Sequence, residues 1–253
     1  MEIADPEIRL CSNCQNEIVA DSNFCRTCGQ AQNLEEVKFY SNKRKNLIQV
    51  ALFFAIELVF CISAALIEDY TINVALFFDV TMAVCAVIFF AYENNWQENK
   101  FLLKWTNFSV LKLLGLIVAT IMASLIVQFL VGHLNNYFFH KEYSFYFTYA
   151  DNKYGNYLMI ISVALFPALF EELAYRGFLM QKLLKIVEPT EAIYITSILF
   201  FLIHFSVISF FWMLPFAFLL AYVRIKSNTL WYGVVMHFFF NLTVCMMEIY
   251  TYS

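Results

Sequence analysis

The chain has 253 residues, of which 61% are apolar and 14% charged, with a formal net charge of -4 and a mean hydropathy of +0.64. Soluble domains are nearer half apolar and a quarter charged, so this composition excludes an ordinary soluble globular protein. The apolar residues, 29 phenylalanines among them, come in long runs, and about 20 such residues cross a hydrocarbon core of about 30 Å. The sequence therefore predicts an integral membrane protein.

Residues 1–34 form a separate polar module. Its two Cys-x-x-Cys pairs, ten residues apart, consist of Cys11, Cys14, Cys25 and Cys28. Four thiolates at this spacing predict one structural, tetrahedrally bound zinc ion, and the alternative is a pair of disulfides or four free thiols. Gly29 follows the second pair, where a tight turn needs a residue that tolerates unusual dihedrals. Because the segment has almost no core, it needs such a staple, and we predict a zinc ribbon whose partner the sequence does not identify.

After the ribbon, we predict a basic linker at 35–46 and a helical membrane domain at 47–253. The fold class is thus an all-α polytopic membrane protein preceded by a small ribbon. About seven spans are predicted, at 47–67, 72–92, 110–132, 157–181, 191–209, 210–224 and 229–249. The sixth is short, so the count depends on it, and a tight turn at Ser206 to Ser209 would join it to the fifth.

The distribution of Lys and Arg predicts the orientation. With the N-terminus inside, 14 of these residues lie on the cytoplasmic side and two, Lys141 and Lys153, lie outside. The ribbon would then lie in the reducing cytosol, where thiolates bind zinc rather than form disulfides. The longest external segment, 133–156, is rich in Tyr and Phe and is predicted to lie at the membrane interface.

Ionisable side chains inside a membrane span cost about 2.5 to 3.5 kcal/mol each, so each one needs a reason. Glu57 and Asp79 stand alone in the first and second spans, and we expect them to make structural pairings with other helices or to have a minor role in local polarity. Nothing in the sequence indicates binding to nucleic acid.

The fourth span carries two adjacent carboxylates, Glu171 and Glu172. Glu172 and Arg176 are four residues apart, which favours an ion pair on one helix face, whereas Glu171 points about 100° away. Pro167 removes the helical hydrogen bond to the carbonyl of Val163 and is expected to bend the helix before the carboxylates.

Polar residues in two later helices complete a predicted cluster. His204 ends the fifth span, and His237 and Asn241 share one face of the seventh. A carboxylate and an imidazole together can deprotonate water, and a second imidazole with an amide can stabilise an oxyanion. The alternative is metal-assisted, because one glutamate and two histidines also match a catalytic zinc shell.

These motifs resemble the CAAX-protease and bacteriocin-processing family of membrane proteases. Its pattern is Glu-Glu-x-x-x-Arg, Phe-x-x-x-His and His-x-x-x-Asn or Asp, matched here by Glu171 to Arg176, Phe200 to His204 and His237 to Asn241. The resemblance covers about residues 157–245.

The resemblance implies that Glu171 and His204 activate water, that His237 and Asn241 bind the oxyanion, and that Glu172 and Arg176 support them. It implies a membrane-associated peptide or protein as substrate, and it leaves a catalytic metal uncertain. The ribbon is similar to modules fused to prokaryotic membrane proteins, so we expect a prokaryotic cell membrane.

Two other functions compete with an intramembrane endopeptidase. One is a non-catalytic bacteriocin-immunity or regulatory membrane protein of the same fold. The other is a transporter that uses the buried carboxylates for ion coupling, which internal repeats would support. The sequence shows no such repeat.

Overall fold

The structure, a computed structural model, describes residues 7–22, 24–32, 34–92, 95–105, 108–139, 144–205 and 209–253. The chain divides into two compact units, Met1–Gln49 and Val50–Ser253. The first contains the ribbon. The second contains the helical membrane domain.

The ribbon is a two-stranded antiparallel hairpin followed by a second turn. Strands β1 (Ile8–Leu10) and β2 (Glu17–Val19) pair with Arg9 opposite Ile18. Among the described side chains of the ribbon, the buried apolar cluster consists of Ile18 and two of the cysteines. A core of that size does not stabilise a fold by itself, which agrees with the predicted dependence on a metal ion.

The remainder of the described chain is mostly helical. Residues 35–46, predicted as a linker, are helical and belong to the first helix. The helices are α1 (Leu34–Ala65), α2 (Ile72–Ala91), α3 (Asn95–Asn99), α4 (Val110–Phe139), α5 (Tyr146–Tyr149), α6 (Gly155–Leu183), α7 (Pro189–Leu202), α8 (Phe210–Ser227) and α9 (Trp231–Tyr252).

Six of these helices are long and apolar enough to cross a membrane, which confirms a polytopic membrane protein. Their spanning parts are Ser41–Ala65, Ile72–Ala91, Val110–Asn135, Gly155–Leu183, Phe210–Ser227 and Trp231–Tyr252. The predicted fifth span is the short one instead of the sixth, because α7 has 14 residues. Phe205, three residues after its end, has a positive φ of 47°. The turn predicted at Ser206 to Ser209 lies largely outside the described residues.

The segment predicted to be the longest external loop is shorter than 133–156. Its first part continues α4 to Phe139, and His133 stacks on the ring of Phe129 within that helix. His140 and the next three residues lie outside the described part of the chain. Further on, Glu248 accepts hydrogen bonds from the Ser144 hydroxyl and the Tyr146 amide, which ties this segment to the end of α9.

Ion pairs join two segments at the opposite end of the bundle. Glu98 of α3 lies 3.2 Å from Lys182 and 2.6 Å from Lys185, which belong to the end of α6 and the turn after it. Four residues after Glu98, the Leu102 carbonyl accepts a hydrogen bond from the Leu230 amide, which lies in the turn between α8 and α9. The loops predicted to be cytoplasmic therefore meet at one end.

Helices α2 and α6 lie close together because a glycine faces an aromatic ring. A Cβ added to Gly177 would meet the Phe90 ring at 2.8 Å. At the other end of the same pair of helices, Ser162 donates a hydrogen bond to Asp79 and accepts one from Tyr149. Asp79 is therefore paired across helices, as predicted from its isolation in the sequence.

Replacing Glu98 tests the ion pairs at this end. Burial raises the pKa of Glu98, but the hydrogen bonds from Lys185 and Lys182 outweigh it and leave the pKa below its ordinary value. The stabilisation is therefore present at pH 7 and is lost as the pH falls through that lowered pKa. We expect Glu98→Gln to lower the free energy of unfolding in detergent by at most about 1 kcal/mol at pH 7, by less as the pH falls below about 4, and by almost nothing near about pH 2.

Glu68→Gln, at an exposed site, is the control for this measurement. A loss of stability in Glu98→Gln that persists unchanged near about pH 2 would contradict the assignment to the ion pairs.

Candidate active site and metal centre

Helix α6 departs from α-helical hydrogen bonding around the site. Two segments, Ile160–Leu165 and Pro167–Leu179, are π-helical. At their ends the Phe166 amide donates to the Ile161 carbonyl and the Met180 amide to the Tyr175 carbonyl, each five residues back. Such turns are rare and frequently occur at functional sites, and the second π-helical segment of α6 carries Glu171 and Glu172.

The hydrogen bond lost at Pro167 has a replacement from another helix. An α-helix would pair the Val163 carbonyl with the N–H that Pro167 lacks. In the structure this carbonyl accepts a hydrogen bond of 3.0 Å from the side-chain amide of Asn241 in α9. Asn241 therefore fixes α9 against the first π-helical segment of α6.

Glu172 and Arg176 form a buried ion pair. Arg176 Nη1 lies 2.9 Å from Glu172 Oε1, and both side chains are almost completely buried. The guanidinium also donates to the Ala217 carbonyl of α8 and lies 4.4 Å from the centre of the Phe200 ring. The spacing of the two residues predicted this pair, and the cross-helix contacts of Arg176 explain how the charge is tolerated.

His237 lies between the two carboxylates. Its Nδ1 is 3.2 Å from Glu172 Oε1, and its Nε2 is 3.9 Å from Glu171 Oε2. Because an ionised carboxylate only accepts hydrogen bonds, Nδ1 carries a hydrogen, and in the neutral ring Nε2 is left as an acceptor. Nε2 and Glu171 Oε2 therefore face each other as two acceptors, an arrangement that suits a shared water or a proton.

His204 has the same tautomer for a different reason. Its Nδ1 is 2.8 Å from the Phe200 carbonyl one turn earlier, so that nitrogen donates and Nε2 remains free to accept a proton. The Phe200 ring lies 4.9 Å from the His204 ring and 6.1 Å from the His237 ring. Phe200 thus separates and orients the two imidazoles.

The structure brings some of the predicted residues together more closely than others. Glu171, Glu172, Arg176 and His237 are linked directly, His204 is linked to them through Phe200, and Asn241 contacts α6 at Val163. Among the described residues, the imidazole contact of 3.9 Å to Glu171 comes from His237. The joint action of Glu171 and His204 on water, which the resemblance implies, stays a prediction.

Sequence reasoning missed Gly233, which stands one turn before His237. A Cβ at this position would lie 2.9 Å from Glu172 Oε2, a buried oxygen with no hydrogen-bond partner. A glycine on the same helix face as the motif histidine was the available signal. Its absence of a side chain lets α9 approach Glu172.

The four ribbon cysteines form a compact group of ligands. Their sulfur atoms all lie within 4.8 Å of one another, with Cys11 and Cys28 at 3.7 Å and Cys14 and Cys25 at 3.6 Å. Sulfurs about 2.3 Å from a tetrahedral zinc lie about 3.8 Å apart, so the set fits a zinc ribbon. Among the side chains that the structure describes, this is the group of three or more His, Cys, Asp or Glu able to hold one metal ion.

Backbone amides favour the thiolate form of Cys11. At Cys14 the Asn16 amide lowers the pKa of the thiol, but burial and the neighbouring sulfurs outweigh it and raise that pKa to about 12. Each Cys-x-x-Cys pair is followed by a residue with positive φ, Gln15 at 61° and Gly29 at 73°. These turns direct amides at the sulfurs. The amides of Cys14 and Asn13 donate to Cys11 Sγ and lower the pKa of that thiol to about 6. A deprotonated thiol is the form that binds metal.

Comparison with known families agrees with the motifs. Residues 153–243 match the family model described as type II CAAX prenyl endopeptidase Rce1-like. The matched segment contains every motif residue of α6, α7 and α9, so the predicted resemblance is confirmed over this part of the chain. No match was found among the curated proteins or among the solved structures.

Substituting Gly233 tests the close approach of α9 to Glu172. Gly233→Ala places a methyl group 2.9 Å from Glu172 Oε2, and we expect a loss of about 1 to 3 kcal/mol in the free energy of unfolding in detergent. Gly132→Ala in α4 is the matched control, because its Cβ would meet nothing within 4 Å. If Gly233→Ala is as stable as Gly132→Ala, the carboxylate has room to move and Gly233 is not needed.

Proposed function

We propose that the protein is an intramembrane endopeptidase that hydrolyses a peptide bond in a membrane-associated peptide or protein. The six spanning helices place it in a bilayer, and the matched family is one of proteases. The observation that carries the proposal is the contact between Glu171 and His237, in which Glu171 Oε2 and His237 Nε2 are 3.9 Å apart. A carboxylate that can take a proton from water, beside an imidazole that can donate to an oxyanion, suits the hydrolysis of a peptide bond.

In this proposal Glu171 is the general base. Its side chain is 22% exposed, whereas that of Glu172 is 1% exposed and is occupied by Arg176 and His237. Glu171 is thus the carboxylate that water can reach. His204, with Nε2 unprotonated, assists in removing and returning the proton.

His237 and Asn241 are proposed to stabilise the oxyanion. As an imidazolium, His237 would donate from Nε2 to the developing charge, and the Glu172 carboxylate would stabilise that imidazolium. Asn241 uses its amide group on the Val163 carbonyl, and an amide group carries two N–H donors. The second donor serves the oxyanion in this scheme.

Cleavage by the purified full-length protein tests the activity. We expect turnover of a lipidated or membrane-peptide library in liposomes, with kcat lowered at least about 100-fold in Glu171→Gln and in His204→Ala because each removes a proton acceptor. Glu68→Gln, at an exposed position, is the control for the change of charge. Activity that survives in Glu171→Ala and His204→Ala would overturn the mechanism.

We propose that the ribbon binds one structural zinc ion and faces the cytosol. The end of the bundle where α3, the turn after α6 and the α8–α9 turn meet is the lysine-rich one, as the predicted cytoplasmic side requires. A reducing compartment would keep the four thiols free for the metal.

Zinc content tests the ribbon. We expect one zinc per chain by elemental analysis, lost in Cys25→Ser because three sulfurs bind the ion less tightly. Cys61→Ser, which alters a cysteine of α1, is the control and should retain the zinc. A wild-type protein purified without zinc but with disulfides between the four cysteines would contradict this assignment.

A further inference from the structure

The membrane part of α1 has a narrow inward-facing stripe. Of the side chains described at 41–65, the buried ones are Val50, Phe53 and Glu57, and the remainder are exposed or half-buried. Their spacing of three and four residues places them on one helix face. Glu57 is 2% exposed. A carboxyl group on the inward stripe of a lipid-facing helix is costly, so its position requires an explanation.

A layer of aromatic rings aligns α1 with the helices of the site. The ring of Tyr175 in α6 lies 5.8 Å from Phe53 of α1 and 5.2 Å from Phe200 of α7, both edge to face. The three rings therefore stand at the same level of the bundle. Tyr175 is fully buried between its two neighbours.

The relative directions of α1 and α6 determine which of their residues lie next to the layer of aromatic rings. Helix α2 runs parallel to α6, since Asp79 contacts Ser162 at one end and Phe90 contacts Gly177 at the other. Helix α1 is joined to α2 by a short connection and runs the opposite way. Moving forward along α1 therefore corresponds to moving backward along α6.

One turn from the ring layer, three ionisable side chains stand at one level. Glu57 follows Phe53 by four residues, and Glu171 precedes Tyr175 by four. Helix α7 also runs opposite to α6, and His204 follows Phe200 by four residues. The register of the rings thus places Glu57 beside the candidate active site, and Glu57 interacts electrostatically with Glu171.

We propose that Glu57 is a positioning residue of this active site, a second carboxyl group that holds a proton beside Glu171 and keeps Glu171 ionised and directed at His237. This inference rests on the proposed function. Glu57 belongs to α1 and lies outside the segment 153–243 that matches the protease family.

The sharing of one proton follows from burial. Two neighbouring carboxylates in a medium of low dielectric do not both ionise readily. Glu57 is almost completely buried, whereas the Glu171 side chain is 22% exposed and lies near His237, so the proton remains on Glu57. Among the described residues, Tyr175, Cys61 and Cys85 also interact electrostatically with Glu57, and none of these three carries a positive charge that would favour its ionised form.

Two substitutions of Glu57 distinguish the effect of its hydrogen-bond donor from the effect of its size. Gln keeps a neutral hydrogen-bond donor, so we expect Glu57→Gln to retain kcat within about 3-fold at pH 7. Leu removes the donor, so Glu57→Leu should lower kcat at least about 10-fold with KM little changed. Since Gln does not titrate, the alkaline limb of the kcat profile should move at least about one pH unit higher in Glu57→Gln.

Asp79→Asn is the matched control, because Asp79 is another intramembrane carboxyl group and is bonded to Ser162. It should leave the alkaline limb where the wild type has it. A wild-type profile in Glu57→Gln together with a wild-type kcat in Glu57→Leu would overturn the proposal.

Infrared difference spectra test the proton without reference to activity. At pH 7 the C=O stretching band of a protonated carboxyl group should be lost in Glu57→Gln and kept in Glu171→Gln. A band that persists in Glu57→Gln and disappears in Glu171→Gln would show that Glu171 holds the proton, which would overturn the proposal. If the band behaves as expected but no variant or wild-type protein cleaves any peptide, the proposed function fails and the proton on Glu57 stands.

Discussion

One carboxylate oxygen, Glu172 Oε1, holds the centre of the membrane domain together. It accepts from Arg176 at 2.9 Å and lies 3.2 Å from His237 Nδ1, so a single atom couples α6 to α9. Arg176 extends the connection to α8 through the Ala217 carbonyl. A buried charge without such partners costs several kcal/mol, and this cost makes the arrangement of the three helices specific. The tautomer of His237, and with it the chemistry at Nε2, follows from the same contact.

The backbone of α6 makes that contact possible. Its π-helical turns leave carbonyls differently placed from those of an α-helix, and the proline at 167 removes a donor. Asn241 supplies the missing hydrogen bond to Val163 from the helix that also carries His237. One face of α9 therefore supplies the hydrogen bond that α6 lacks and also positions the His237 imidazole. The packing of α9 on α6 and the proposed chemistry both depend on His237 and Asn241, which stand one helical turn apart.

Local relations were readable from the sequence, and relations between helices were not. The Glu172–Arg176 pair and the missing N–H of Pro167 are set within one helix, so spacing alone predicted them. The partner of the Val163 carbonyl and the imidazole that faces Glu171 depend on how α9 packs against α6, and they could not be read. The left-handed backbone at Phe205 and Gln15 also escaped prediction, because residues other than glycine rarely adopt it. Composition established the membrane fold, but it did not reveal that α7 is short.

The length of α7 affects the surrounding lipid. Fourteen residues of α-helix are about 21 Å long, against a hydrocarbon core of about 30 Å. Tyr194, Ile198 and Leu202 are exposed along this helix and offer it an apolar outer surface. The bilayer in contact with that surface must become thinner locally. Otherwise the end of the helix, with His204, lies deeper in the membrane than the water–lipid interface. Hydrophobic mismatch at α7 would thus couple the thickness of the host membrane to the hydration of the imidazole.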